Sequence, residues 1–164
     1  MKFNYCPICG NKLEIKYSWD EGGVPYCPID DIMYFNTPKP CIMVAILKDD
    51  KILLLKQSYI FKNSKVLLSG YVTSGETIEE TVHREVFEEA GIKVKNLEYL
   101  GSRYLEAKDI EMIEFMAYYD TGEIKRSSEV EGMNWEYIDN ALDEMVEDEI
   151  GKSIVSKVLK KIQR

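Results

Sequence analysis

Glu85, Glu88 and Glu89 stand at i, i+3 and i+4, so on a helix their three carboxylates share one face. Like charges at this spacing cost roughly 0.2–0.5 kcal/mol per pair. Glu88 and Glu89 also fall in the last turn before Gly91. There the negative end of the helix dipole adds about 0.3–1 kcal/mol for each. A chain that breaks local rules in this way often does so at a functional site. Carboxylate oxygens suit hard divalent cations, and Mg²⁺ in particular keeps room for waters and substrate phosphates. A bare EVFEE would read as a solvated acidic face, so the surrounding residues decide.

The element that must carry this face is well marked. Thr77 and Glu80 form a capping-box pair that predicts a helix start. Gly91 can take the left-handed conformation that ends it. Ile78, Val82, Val86 and Ala90 recur between them at helical spacing and form the stripe to be buried. His83, the only histidine, lies off the carboxylate face and reads as a surface residue. Around the helix the spacing is fixed. Gly70 is followed after five residues by Glu76 and after seven more by Arg84, then by Glu85, Val86, Glu88, Glu89, Gly91 and Ile92. Every fixed position of the Nudix box, G-x5-E-x7-R-E-U-x-E-E-x-G-U with U aliphatic, is met, and the chain resembles that family.

The resemblance implies an α+β fold, a Nudix α/β/α sandwich with a mixed β-sheet. It also implies an Mg²⁺- or Mn²⁺-dependent pyrophosphohydrolase acting on a nucleoside diphosphate linked to another moiety. Glu85, Glu88 and Glu89 would hold the metals, with the Gly70 carbonyl completing a site and Glu89 the leading ligand. Glu85 would ligate or act as general base; both roles stay open. Arg84 would orient Glu85 and pair with Glu76, holding the loop on the helix. Gly70, Glu76, Arg84 and Gly91 form the structural frame of the box. In Glu129-Val130-Glu131-Gly132-Met133-Asn134-Trp135, which resembles the late strand of the family, Glu129 is the candidate that assists catalysis, with Glu131 its alternative. Glu85, Arg84 and Glu129 are thus the catalytic candidates. The rival reading is a non-catalytic Nudix-fold binding or sensor module. A third is a ribbon-type interaction protein whose second domain only holds partners.

Residues 1–37 read as a separate module and residues 38–164 as the main domain. The first part holds three of the four cysteines. Cys6-Pro7-Ile8-Cys9-Gly10 directs two thiolates to one point, and Cys27-Pro28-Ile29-Asp30 follows after seventeen intervening residues, within zinc-ribbon spacing. Asp30 stands where a ribbon has cysteine; Cys41, beyond Pro38-Lys39-Pro40, is the other candidate for the fourth ligand of a structural Zn²⁺. A ribbon that folds without metal competes with this reading. A thioredoxin-type role for the CPIC turn lacks its strand–helix context. A ribbon before a Nudix domain resembles the NADH pyrophosphatase branch. That branch carries SQPWPxPxS where this chain has Ser102-Arg103-Tyr104-Leu105-Glu106-Ala107-Lys108, which keeps only the serine. The substrate therefore stays open among NADH, NAD⁺, ADP-ribose, nucleoside triphosphates and dinucleotide polyphosphates. Arg103 and Tyr104 read as strand decoration rather than phosphate and base contacts. Tyr59 and Phe61 read as surface aromatics rather than a base pocket. The family is often a homodimer; no interface is legible here.

The net charge of −8 argues against a broad nucleic-acid surface and against anionic membranes. A phosphate substrate is compatible with it if bound cations invert the local field. No apolar run has the length of a membrane span, and MKFNYCPICG lacks a signal-peptide apolar region. The expectation is a cytoplasmic protein with reduced thiols. Cys41–Leu47 reads as a strand buried on both faces, paired through Asp49-Asp50 with Lys51–Lys56. Val66–Ser69, Val94–Ala107 and Ile110–Tyr119 read as further strands, and Ser58–Lys65 and Asp120–Ser128 as loops. Asp139 is expected to cap a short helix ending near Met145. Asp148 is expected to start a last helix with Ile150, Ile154, Val158, Leu159 and Ile162 as its packing stripe.

Overall fold

The computed structural model describes residues 3–125, 127 and 130–162. The chain divides into two units, Met1–Pro38 and Lys39–Arg164. The first unit is a three-stranded antiparallel sheet of β1 (Glu14–Ser18), β2 (Gly22–Cys27) and β3 (Ile32–Met33), in that order. It buries few side chains, chiefly Cys6, Val24 and Cys27. Natural modules with so small a core usually add a disulfide or a structural metal.

The second unit is built on β4 (Lys39–Lys48), which runs parallel to β9 (Ile110–Gly122) along most of its length. The other strands are β5 (Lys51–Lys56), β6 (Lys65–Val66), β7 (Leu68–Tyr71), β8 (Ile92–Leu105) and β10 (Gly132–Tyr137). The order is β10-β5-β4-β9-β8, with β6 on β5 and β7 on β4. All pairs except β4–β9 are antiparallel, so the sheet is mixed. From Cys41 to Leu47 strand β4 is apolar, because both its faces are covered there. Ile42, Val44 and Ile46 pack with Val82, Val86 and Ala90 of helix α1 (Ile78–Ala90). Met43, Ala45 and Leu47 pack on the other face with Ile154, Val155 and Val158 of helix α3 (Glu149–Ile162). A short helix α2 (Ala141–Glu144) adds Ala141 to that face. The α/β/α layering expected from the sequence is therefore observed. Among the described residues, no helix is long and apolar enough to cross a membrane.

Several local expectations change. The strand expected over Val66–Ser69 is two: Val66 pairs with Leu55 of β5, and Leu68 pairs with Val44 of β4. The chain changes partner at Leu67, so Gly70 lies inside β7 rather than after a strand. Strand β8 begins at Ile92 and carries register shifts near Lys93, Lys95 and Tyr99; Asn96 and Gly101 take positive φ there. Asp139 does not cap a helix. It sits in a 3₁₀ turn over Ile138–Asn140, and Asn140 precedes α2 without a side-chain cap bond.

Candidate functional site

Helix α1 starts where Thr77 Oγ1 accepts from Glu80 N at 3.2 Å and Glu80 Oε2 accepts from Thr77 N at 2.7 Å. It ends at Gly91, with φ 70°, whose N–H donates to Phe87 O at 2.9 Å. These caps fix the rotation of the helix, and hence where its acidic face looks. Arg84 organises that face. Its Nε and Nη2 donate to the two oxygens of Glu76 at 2.9 and 2.8 Å, and Nη2 also reaches Tyr71 O at 3.1 Å. Nη1 donates to Glu85 Oε1 at 2.8 Å and to Glu88 Oε2 at 3.0 Å. Glu76 Oε1 in turn accepts from Thr73 N and Oγ1, both at 2.7 Å, which ties the loop before α1 to the helix. Paired carboxylates at ordinary hydrogen-bond distances from a guanidinium are a strong, geometrically specific contact.

Gly70 makes the approach of α1 to β7 possible: a methyl there would overlap the Glu85 carboxylate. Glu85 is largely covered and Glu89 is buried at 8% exposure, whereas Glu88 is open to solvent. Burial raises the Glu85 acid above its usual range, with Arg84 pulling it back. Gly70, Glu85 and Glu89 line one cavity of about 660 Å³, the size of an ordinary small-ligand site. Lys108 and Asp148 supply its other charged groups, Met43, Leu67, Met112 and Ile150 much of its apolar wall, and Tyr59 and Phe61 its aromatic side. Tyr59 is exposed at the surface, as expected, yet it and Phe61 also line the cavity. The donor set of Glu85, Glu89 and the Gly70 backbone is all oxygen, which fits a hard divalent cation. Glu88 stands apart from it, held by Arg84.

Other expected residues go elsewhere. Glu129 lies outside the described residues. Glu131 accepts from Ser58 N at 3.2 Å and from the Ser58 hydroxyl, away from the cavity lining. Arg103 donates to the fully buried Glu114 and to Ser153 Oγ, and Tyr104 donates to Asp109 at 3.1 Å. Arg103 therefore belongs to a buried ion-pair cluster, while Tyr104 stays exposed on the surface of its strand. His83 is exposed on α1. Lys108 and Asp148 were missed as cavity residues. Lys108 sits in the segment that departs from the SQPWPxPxS pattern, which was a signal available in the sequence.

The first unit holds the second constellation. Cys6, Cys9, Cys27 and Asp30 bring their donor atoms within 4.8 Å of one another. Among the described residues this is the only group of three or more His, Cys, Asp or Glu side chains so gathered. Asp30 Oδ2 lies 3.0 Å from Cys6 Sγ and 3.2 Å from Cys27 Sγ, and Cys9 Sγ lies 3.5 Å from Cys27 Sγ. A tetrahedral zinc with Zn–S bonds near 2.3 Å needs sulfurs about 3.8 Å apart, so the donor set fits Zn²⁺ in type and spacing. Within the first unit Asp30 supplies the fourth donor atom of the gathered set, and Cys41 belongs to the second unit. It lies in β4, buried among the apolar side chains packed against α3.

Comparison with known proteins agrees with this geometry. The NUDIX domain family matches residues 37–154. The NAD-capped RNA hydrolase NudC of Escherichia coli O1:K1 is 41% identical over 121 residues, which is 73% of this chain and 46% of that protein. The chain thus spans under half the length of the curated relatives it matches. A NUDIX hydrolase from Nitrosomonas europaea superposes with a TM-score of 0.75 at 18% identity, covering 98% of this chain and 91% of that one. The mutator protein MutT of Bacillus halodurans gives 0.62 at 30% identity, over 74% of this chain and 82% of that one.

Proposed function

The chain belongs to the Nudix family, and from that premise we propose that it hydrolyses a diphosphate bond in a nucleoside diphosphate linked to another moiety. The observation that carries this reading is the meeting of Gly70, Glu85 and Glu89 in the lining of one cavity. Family membership implies a divalent metal. Glu85, Glu88, Glu89 and the Gly70 carbonyl would hold Mg²⁺ or Mn²⁺, with Glu88 turning from Arg84 to do so. When bound, such ions lower the pKa of a water and stabilise charge on phosphate oxygens.

The chain's own residues do the rest. Arg84 holds Glu85 by Nη1 and the loop by its fork on Glu76, so the acidic face is set before substrate arrives. The apolar wall excludes water from the bound moiety, and Lys108 offers a cation to a substrate phosphate. Water oxygen bonds to phosphorus as the bridging P–O bond breaks; the oxygen of that bond leaves with the second product. Glu85 has two roles to share, ligand and proton acceptor. Glu85→Gln separates them, because loss of a ligand weakens metal affinity and loss of a base does not. In the first unit Cys6, Cys9, Cys27 and Asp30 would hold a structural Zn²⁺.

The name of the NudC relative brings nicotinamide dinucleotides into the substrate panel, beside ADP-ribose, nucleoside triphosphates and dinucleotide polyphosphates. The test is turnover of that panel with Mg²⁺ and with Mn²⁺, read as released phosphate or AMP. At least one compound is expected to be cleaved. Glu89→Gln is expected to lower its turnover at least a hundredfold with an unchanged thermal midpoint. Near-normal activity of a folded Glu89→Gln variant would refute the assignment.

A further inference from the structure

Asp148 sits just before α3 and caps it. Its Oδ1 accepts from Gly151 N at 2.9 Å, and its backbone carbonyl accepts from Lys152 N at 2.9 Å. A cap needs one side-chain oxygen. Capping carboxylates ordinarily stand in solvent, but this one is 3% exposed. Its second oxygen, Oδ2, is buried and has no hydrogen-bond partner among the described residues. Gly151 leaves just enough room for it, since a methyl there would overlap both Asp148 Oδ2 and Met145 Cε. A buried acceptor left unsatisfied is destabilising, and such groups in a folded chain call for an explanation.

The explanation lies in what Asp148 lines. It belongs to the cavity that ends on Glu85 and Glu89, and its neighbour Ile150 forms part of the same wall. The lining is mixed: Met43, Leu67 and Met112 are apolar and Tyr59, Phe61 and Tyr71 aromatic, while Ser69, Thr73 and Lys108 are polar. Apolar and aromatic lining suits a flat heterocycle, and an ionised carboxylate at its edge can only accept a hydrogen bond. A phosphate would be repelled there. Burial also holds the Asp148 acid above its usual range, with the backbone N–H groups of Gly151 and Ile150 opposing. An incoming N–H would supply the partner that the ionised group lacks.

We propose that Asp148 accepts a hydrogen bond from an exocyclic amine or carboxamide N–H of the heterocycle bound in this cavity, and so selects which moiety the enzyme takes. The inference rests on the hydrolase reading above and deepens it. A site built to hydrogen-bond a substrate group discriminates strongly against an analogue lacking it, because the protein group is then buried unpaired.

Three pairs of compounds test it on the whole protein. Each pair keeps the phosphates and removes one N–H donor group: NADH against its hypoxanthine analogue, NADH against its 3-acetylpyridine analogue, and GTP against ITP. Affinity is read by calorimetry and turnover in parallel. In at least one pair the wild type is expected to lose tenfold or more in affinity and in kcat/KM when the amine is removed. The first pair reports on the adenine end, the second on the nicotinamide end and the third on guanine. Asp148→Asn keeps an oxygen for the Gly151 N–H and presents an amide donor in place of the acceptor. It is expected to abolish the discrimination by raising KM for the parent compound, with kcat little changed. Asp148→Ser also retains a cap and should do the same. The wild-type comparison needs no variant, so a folding defect cannot hide the answer. Equal handling of every pair by the wild type overturns the proposal, as does undiminished discrimination by a folded Asp148→Asn. Discriminating binding with no hydrolysis by the wild type would overturn the hydrolase reading and leave Asp148 as assigned. Absence of binding throughout would overturn both.

Discussion

Glu76 and Arg84 meet fork to fork, Nε on Oε2 at 2.9 Å and Nη2 on Oε1 at 2.8 Å, across the join between the loop and α1. One guanidinium thereby holds the loop, the end of β7 through Tyr71 O, and two carboxylates of the acidic face. Lysine, a point charge, could not serve so many acceptors in one plane.

This pairing makes the fold sensitive to acid in a defined direction. Arg84, and after it Thr73, holds the Glu76 carboxyl well below the usual carboxylate range. A folded-state pKa that is depressed gives stabilisation fully present above the unfolded-state value of about 4.3, and lost as pH falls through the folded value. The wild-type midpoint should therefore drop steeply below about pH 4. Glu76→Gln should melt lower at neutral pH and show a flatter decline in acid. Parallel curves for the two proteins would contradict the role given to the pair.

Gly70→Ala tests the approach of β7 to α1. The added methyl overlaps the Glu85 carboxylate, so that side chain must leave its place beside Gly70. Overpacking of this kind costs about 1–3 kcal/mol. Turnover should fall at least tenfold, more than the stability loss explains, because the displaced group belongs to the site. Crystals of the variant should show Glu85 moved; an unmoved Glu85 with normal turnover would refute the account.

What was legible in the sequence, and what was not, follows from the range of the interactions. The caps of α1 at Thr77, Glu80 and Gly91 join residues within one or two turns, so spacing alone announces them. The continuous apolar run of β4 reports that both faces are covered, which is again a property of the segment itself. Periodicity reports burial and never the partner. Arg103 is a strand residue in the sequence; only the fold brings Glu114 from β9 and Ser153 from α3 to it. The change of partner at Leu67 is set by which neighbours β5 and β4 offer, and no residue type marks it. Asp148 was readable as a helix start, but only the fold brings it into one cavity lining with Met43 of β4, Met112 of β9 and Glu85 of α1, all distant in the chain.

Glu114 is fully buried on β9, in contact with Arg103 Nε and 2.5 Å from Lys157 Nζ. Two cations around one carboxylate satisfy both its oxygens, and Gly101 lets Lys157 approach, since a side chain there would crowd its ammonium. Removing one partner of a buried ion pair leaves uncompensated charge and costs about 3–5 kcal/mol. Lys157 would remain in Arg103→Met, so the loss should fall near the lower figure, about 3 kcal/mol by denaturant melts. Arg103 lies in a packed network rather than at the cavity, so substrate KM should not change. A tenfold rise in KM with unchanged stability would return Arg103 to the role of a phosphate contact.

The four cysteines should separate cleanly by reactivity. Burial pushes the Cys41 thiol up to about 11, with the Glu85 carboxylate adding to the shift. At pH 8 its thiolate fraction is then small, and the residue is buried at the lining of the cavity. Cys9 is exposed, while Cys6 and Cys27 are buried in the first unit beside Asp30. With zinc bound, none of these three should react quickly, because each sulfur is committed to the metal. A strong chelator should release zinc, free all three to an alkylating reagent, and leave Cys41 untouched until the second unit is denatured. Peptide mass mapping after alkylation reads this directly. Labelling of Cys41 in the folded protein would contradict its burial. Fast labelling of Cys6, Cys9 and Cys27 before chelation, in protein shown to contain zinc, would contradict the assigned ligand set.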